Sequence, residues 1–125
     1  MSFEQIAGVK VVVDDVSYMP TLQSPADKPF PFIYFITIIN DSDETIQILG
    51  RKWIVEELGR DTVVVEGDGV IGEKPIITPG ENFSYNSYHV VACNAEATGG
   101  FYGKTMSGVE MMVEIPLFAL TLPHS

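Results

Sequence analysis

The residues with the most recognisable chemistry are Gly67-Asp68-Gly69-Val70-Ile71-Gly72, which match the G-x-G-x-x-G pattern of dinucleotide-binding proteins. That pattern holds pyrophosphate only where a strand ends and a helix begins, because the phosphates sit on the amides of the helix N-terminus. Valine-rich residues 61–66 predict the strand, but Pro75 and then Pro79-Gly80 follow and would break a helix soon after its start. The sequence therefore predicts a loop between two strands that binds neither NAD nor FAD.

Two roles stay open for this glycine loop. Backbone amides of Gly67, Gly69 and Gly72 could form a nest for a small anion, with Arg51 and Lys74 supplying positive charge. Glycines more often permit a positive φ or a bulge at a strand end. The structural role is favoured, and recognition of a small anion, nucleotide or pyrophosphate is the alternative.

The tripeptide Arg51-Lys52-Trp53 is the second candidate group. Arg51 and Trp53 share one face of an extended strand, where a guanidinium could stack on the indole or bind an anion. The favoured interpretation is that Trp53 is the core tryptophan of a sandwich and that Arg51 covers its edge.

Catalytic and metal-binding patterns are weak. His89 and Cys93 are four residues apart, which places them ~13 Å apart along a strand, so structural roles are expected for both. His124, next to the C-terminus, is expected to be solvated. Two histidines and one cysteine offer few ligands for a soft metal. The acidic turn Asp41-Ser42-Asp43 departs from the calcium-loop pattern because Ile46 occupies the glycine position. We expect no catalytic residues, no cofactor and no metal.

Composition limits the remaining classes of function that the chain could have. The 125 residues, 46% of them hydrophobic, predict one domain over residues 1–125. A formal net charge of −10 with scattered basic residues argues against nucleic-acid binding. No apolar run approaches ~20 residues, so membrane insertion is not expected. The first residues lack a signal-peptide pattern and the chain has a single cysteine, so we expect a cytoplasmic protein.

The spacing of short β-branched segments predicts an all-β, immunoglobulin-like or fibronectin type III-like sandwich of two antiparallel sheets. The predicted strands are residues 9–18, 32–39 as a central strand, 45–57 as a strand pair or one bent strand around Gly50, 61–66, 82–86, 101–106, and 109–115 ended by Pro116, with a last edge segment at 118–122. The central strand has apolar side chains on both faces, so the predicted core contains either Phe32, Tyr34, Ile36 and Ile38 or the residues that alternate with them, together with Trp53, Phe83 and Tyr85.

Several segments occur in an order that resembles the ApaG family. They are VSYMP at 16–20, YFITIIN at 34–40, ILGRKWI at 48–54, VEGDGVIGEKP at 65–75, TPGENFSY at 78–85 and EIPLFAL at 114–120. The resemblance implies the same β-sandwich, a link to cobalt resistance and magnesium efflux in bacteria, and protein-interaction roles in eukaryotic relatives.

Two departures from that family pattern bear on function. Lys52 stands where the family has histidine, and the segment from Asn86 to Glu96 differs from the family's loop. That segment supplies Tyr88, His89 and Val91 for a partner-specific surface, unless these residues simply form a strand. We therefore predict a non-enzymatic binding or regulatory module that contacts a protein of unknown identity, with a small-anion-binding protein as the alternative.

Overall fold

The computed structural model describes residues 3–123 and contains eight strands. They are β1 (Val9–Tyr18), β2 (Phe30–Asn40), β3 (Ile46–Glu57), β4 (Thr62–Asp68), β5 (Ile76–Ile77), β6 (Asn82–Val91), β7 (Ala95–Thr105) and β8 (Glu110–Leu120). His124 lies outside the described residues. No helix in residues 3–123 is long and apolar enough to span a membrane.

The strands form two antiparallel sheets, as the sequence predicts. The smaller sheet has the order β1-β2-β6, and the larger has the order β4-β3-β7-β8, with the short β5 pairing to β3. The chain crosses between sheets after β2, β5 and β6. On one side of the sandwich β1 packs against β8, whereas β4 and β6 are the outermost strands on the other side. This difference between the two sides decides where the chain offers a cleft.

The core lies between the sheets and follows the two-residue period of the strands. In β2, the buried residues are Phe32, Tyr34, Ile36 and Ile38, each at most 3% exposed. The remaining buried apolar side chains come from most other strands and include Val11, Ile46, Ile48, Trp53, Val55, Ile77, Tyr85, Val91, Phe101, Met111, Ile115 and Leu120, with Phe83 partly buried against them. The predicted core is therefore confirmed.

Of the two possibilities for residues 45–57, the single strand is observed: β3 (Ile46–Glu57), whose register shifts between Ile48 and Gly50. Other predicted strand boundaries need revision, because β6 runs to Val91 rather than to residue 86 and β7 begins at Ala95 rather than at residue 101. The prediction that Pro116 ends a strand is wrong, because β8 runs on to Leu120. Its pairing with β7 shifts between Ala97 and Gly99, and Pro116 falls at this irregularity. A residue without an N–H is tolerated there because the regular ladder is already interrupted.

A buried asparagine holds the acidic turn after β2, a role that the sequence did not reveal. Asn40 is fully buried, and its amide donates to the carbonyls of Glu44 (2.8 Å) and Ile77 (2.9 Å). Its Oδ1 accepts from the backbone N–H of Ser42 at 3.0 Å. The polar atoms of this buried side chain are thus satisfied, and the turn is tied to β5.

Replacing Trp53 with alanine should lower the free energy of unfolding by about 3–5 kcal/mol, because the indole is only 2% exposed and its removal leaves a cavity. Chemical denaturation monitored by circular dichroism, a signal that does not depend on tryptophan fluorescence, measures the change in the free energy of unfolding. Val64→Ala, at a side chain 52% exposed, is the control and should change stability by about 0.5 kcal/mol or less. A loss below about 1 kcal/mol for Trp53→Ala would contradict the core assignment.

Candidate functional site

One row of side chains on β3 connects the glycine loop with the region beside β6. Arg51, Trp53, Val55 and Glu57 alternate with outward residues and face the smaller sheet. Trp53, Val55 and Glu57 are 2%, 5% and 4% exposed. Arg51 stands at the glycine-loop end of this row and Glu57 at the opposite end, beside β6.

Arg51 is committed to the glycine loop. Its Nη1 donates to the carbonyl oxygens of Asp68 (2.8 Å) and Gly69 (3.1 Å). A Cβ at residue 67 would lie 2.8–2.9 Å from the guanidinium, so Gly67 provides the space in which that group packs. The arginine therefore stabilises the loop, and backbone carbonyls accept part of the hydrogen bonds that its guanidinium can donate.

The glycine loop closes on itself rather than opening a helix. The Val70 and Glu73 backbones exchange hydrogen bonds of 2.7 and 2.9 Å, and the Gly69 N–H donates to Leu49 at 2.7 Å. Ile71 and Gly72 between them have φ angles of 42° and 81°, the signs required at both central positions of a type I′ turn. A Cβ at Gly69, which has a φ of 64°, would collide with the Glu73 carbonyl. The predicted loop between strands is confirmed.

This geometry bears on the anion hypothesis for the loop. The amides of Gly69, Val70 and Glu73 already donate within the protein. Lys52 faces away from Arg51, with its Nζ 3.6 Å from Glu66 Oε1. Lys74 is exposed. The structure thus brings Arg51, Gly67 and Gly69 together, and Arg51, Lys52 and Gly67 line one hollow of about 540 Å³. An anion site here stays a prediction.

A cleft opens on the side of the sandwich where β4 and β6 are the outermost strands. Its volume is about 230 Å³, and its lining residues are Lys28, Val55, Glu57, Val63, Val65, Tyr88, His89 and Val90. Four valines make most of this lining apolar. Small-molecule sites usually occupy roughly 300–1,000 Å³, so the cleft suits a single side chain better than a nucleotide-sized ligand.

His89 forms part of the cleft wall and also belongs to the aromatic core. Its ring stacks on Tyr34 with centroids 4.8 Å apart and meets Trp53 edge-on at 4.6 Å. Its Nε2 is buried and has no hydrogen-bond partner among residues 3–123. Burial lowers the pKa of His89 to about 4, because the charged imidazolium would be poorly solvated there. The ring is therefore neutral at pH 7.

The sequence left two possibilities for Tyr88, His89 and Val91, a partner surface or a strand, and the strand is observed. All three residues lie in β6, where successive side chains point to opposite faces. Val91 is fully buried, and His89 faces the core. Only Tyr88 is well exposed, at 41%, and its hydroxyl donates to the Gln23 carbonyl at 3.2 Å.

A partly buried ion pair belongs to the lining of the cleft. Glu57 Oε1 lies 2.9 Å from Lys28 Nζ, and Glu57 Oε2 accepts from the Ala92 N–H at 2.5 Å. Burial alone would raise the pKa of Glu57, but the Ala92 amide and the Lys28 ammonium outweigh it and leave the pKa lowered. Sequence reasoning missed this pair. The available signal was that Glu57 is in phase with Trp53 and Val55, the inward residues of β3.

The cleft lining, as the structure describes it, includes no serine, threonine or cysteine, and the Cys93 thiol donates to the Leu58 carbonyl, at 3.7 Å. The Glu57 carboxylate is already occupied by two donors. Residues 3–123 contain no group of three or more His, Cys, Asp or Glu side chains placed to hold a metal ion.

Comparison with known proteins adds independent findings. Residues 20–106 match the model of the ApaG domain. The chain is 30% identical over 118 residues to Protein ApaG of Brucella canis, covering 94% of this chain and 90% of that one. It is 36% identical over 110 residues to Protein ApaG of Pseudomonas paraeruginosa, covering 87% of each. A crystal structure of a Bordetella pertussis protein assigned as ApaA superposes with a TM-score of 0.80 at 25% identity, covering 99% of this chain and 100% of that one.

The glycine loop yields a stability prediction. Gly69→Ala should destabilise the fold by about 1–3 kcal/mol, because the new Cβ meets the Glu73 carbonyl at a positive φ. Gly72→Ala also places a side chain at positive φ but has open space around it, so its loss should be smaller, about 1 kcal/mol. Thermal and chemical denaturation of both variants measure the difference. Equal losses, or micromolar NAD binding by the wild type in calorimetry, would contradict the structural role of the loop.

Neutral His89 should make stability depend on pH. Its pKa is 6.5 unfolded and about 4 folded, so below pH 6.5 the unfolded chain binds a proton that the folded chain does not. The free energy of unfolding should therefore fall by about 1–2 kcal/mol between pH 7 and pH 5 through this group. Below pH 4.5, loss of the Glu57 interactions adds a further decline in the same direction.

Urea denaturation at pH 7 and pH 5 checks this expectation. His89→Phe keeps an aromatic ring in the stack and removes the titrating group, so its stability should change less between the two pH values than that of the wild type. Tyr88→Phe is the matched control and should retain the wild-type pH dependence. An identical pH dependence in His89→Phe would show that the histidine is not buried in its neutral form.

Proposed function

The chain belongs to the ApaG family, and we propose that it is a non-enzymatic protein-recognition module whose binding site is the cleft between β4 and β6. The partner inserts one apolar side chain between the valines of the larger sheet and the Tyr88–Val90 segment of the smaller one. The observation that carries this proposal is the cleft itself, an apolar hollow of about 230 Å³ between the outermost strands on one side of the sandwich.

The composition of the cleft rim supports recognition of a protein. Tyrosine is enriched among the residues that dominate binding energy at interfaces, since it offers a large rigid surface and a polar end. Tyr88 is 41% exposed and Val65 is 43% exposed, so an apolar anchor would remove both from water. At about 25 cal/mol per Å² of apolar surface, burying such side chains favours binding.

The rigidity of the cleft also supports it as the binding site. The cleft wall includes His89, which stacks on Tyr34 and meets Trp53 edge-on, and the Glu57–Lys28 pair also holds the lining in place. A preformed cleft requires little ordering when a ligand binds, which preserves affinity. The formal net charge of −10 favours a partner segment with basic residues around its apolar anchor.

Non-enzymatic action agrees with the state of the polar groups in the cleft. His89 is neutral and its Nε2 has no partner among the described residues. Glu57 is held by Ala92 and Lys28, so neither group is paired with a nucleophile as covalent catalysis requires. Any influence on cobalt resistance or magnesium efflux would then be exerted through the bound partner.

The test compares two Val→Glu substitutions at exposed positions in β-strands. Val65→Glu places a charge in the cleft, whereas Val12→Glu places one on β1, on the other sheet. Val12 is 36% exposed and Val65 is 43% exposed, so both variants should fold. Affinity capture with quantitative mass spectrometry should show proteins retained by wild type and Val12→Glu and reduced at least ~10-fold by Val65→Glu.

The purified interacting protein is then titrated against each variant by calorimetry. Tyr88→Ala should weaken its binding by about 1–2 kcal/mol while the melting temperature stays near that of the wild type. Equal binding by wild type and Val65→Glu would move the recognition site away from the cleft. Turnover of a phosphate ester by the purified protein, lost in Arg51→Ala, would place the chain among enzymes instead.

A further inference from the structure

The smaller sheet has a hollow of about 430 Å³ on its outer face, the face that points away from the core. This Phe35 hollow spans all three strands, and its lining includes Asp14 and Asp15 from β1, Phe35 from β2, and Ser84 and Asn86 from β6. Asp15, Phe35 and Asn86 stand in one row across the strands. The Phe35 ring is 38% exposed, so the hollow has an aromatic side chain open to solvent at its centre.

A bulge in β1 brings two carboxylates to the Phe35 hollow. In a regular strand successive side chains point to opposite faces, which would separate Asp14 from Asp15. The register shift between Val13 and Asp15 leaves Asp14 as the extra residue, and such a bulge redirects a side chain. The Asp14 carboxylate accepts a hydrogen bond of 2.6 Å from Thr37, which is in phase with Phe35 on β2. Asp15 lies opposite Phe35, so both carboxylates are on the outer face.

The negative charge of the Phe35 hollow is not neutralised by the chain itself. Neither Asp14 nor Asp15 forms an ion pair within the part of the chain that the structure describes. The basic residue of β1, Lys10, is four residues from Asp14, which is roughly 13 Å along a strand. The hollow is therefore complementary to a positively charged group from outside the chain.

The aromatic ring and the side chain on β6 indicate which cation fits. A guanidinium group stacks on an aromatic face while its N–H groups bind carboxylates. The Phe35 ring lies between Asp15 on one neighbouring strand and Asn86 on the other, and the Asn86 amide oxygen is a further acceptor. A divalent cation fits less well, since it takes many oxygen ligands and residues 3–123 contain no group of three or more His, Cys, Asp or Glu side chains placed to hold one.

We propose that the Phe35 hollow docks a basic segment of a partner protein, whose arginine side chain stacks on Phe35 and donates to Asp14 and Asp15. The hollow is open and lies on an exposed sheet face, where a side chain that projects from another protein reaches it. The formal net charge of −10 attracts such a segment over a longer distance. The hollow shares no lining residue with the cleft, so this inference does not rest on the proposed recognition of an apolar anchor there.

Nuclear magnetic resonance titration of the isotope-labelled full chain tests the proposal with two pentapeptides whose termini are blocked. One has arginine between pairs of glycines, and the other has citrulline, a neutral analogue of nearly the same shape, in its place. At ~0.15 M salt, which screens long-range attraction, the arginine peptide should shift the amide signals of residues 13–15, 35–37 and 84–86 with a Kd of about 1–10 mM. The citrulline peptide should bind at least ~10-fold more weakly.

Two double variants of equal charge show whether the shifts arise from the Phe35 hollow. Asp14→Asn with Asp15→Asn removes both charges and keeps oxygen atoms that accept from Thr37 and from the backbone, so it should weaken binding of the arginine peptide at least ~10-fold. Asp27→Asn with Asp61→Asn removes the same charge at exposed positions outside the hollow and should bind the peptide like the wild type.

Phe35→Leu tests the contribution of the ring. It keeps an apolar side chain but removes the aromatic face, so it should weaken binding several-fold while the melting temperature stays near that of the wild type. Three results would each overturn the proposal: no amide shifts at about 20 mM arginine peptide, equal binding of the citrulline peptide, or equal losses in the two double variants, which would indicate attraction to the net charge alone.

Discussion

The inward row of β3 is the constraint on which the other features depend. Arg51 holds the glycine loop through two carbonyls, Trp53 fills the space between the sheets, and Glu57 ties β3 to Lys28 and to the turn after β6. Because these side chains share one face of one strand, a change in its register would displace the loop, the core and the cleft together. The shift between Ile48 and Gly50 lies just before this row and helps to fix its position.

The unequal sides of the sandwich explain where the apolar cleft lies. Contact between β1 and β8 covers one side, while β4 and β6 border an apolar cleft on the other. In a sandwich whose one sheet has three strands and whose other sheet has more, one side is left uncovered. The glycine loop lies at the end of β4, and its backbone amides already donate hydrogen bonds within the protein. Its resemblance to a nucleotide motif reflects the requirements of a tight turn and of the packing of Arg51.

Much of the fold could be predicted from the sequence because strand periodicity and turn residues are local signals. The apolar residues and the turn after them located β2 but not its buried face, since both faces are apolar, and the prolines after Gly72 excluded a helix. The pairing of Glu57 with Lys28 could not be predicted, since it joins a strand to a loop 29 residues away. Period alone does not say which face of β6 is inward, so the burial of Val91 could not be predicted, and the continuation of β8 beyond Pro116 depends on an irregularity in the pairing of β7 with β8.

Site-specific photocrosslinking tests most directly whether the cleft, and not the glycine loop, is the recognition site. A photoreactive phenylalanine analogue replaces Tyr88 at the cleft rim in one variant and Lys74 beside the loop in another, both at exposed positions. After irradiation in living cells, the account predicts a discrete crosslinked protein from position 88 and none from position 74. A specific crosslink from position 74 together with none from position 88 would contradict it.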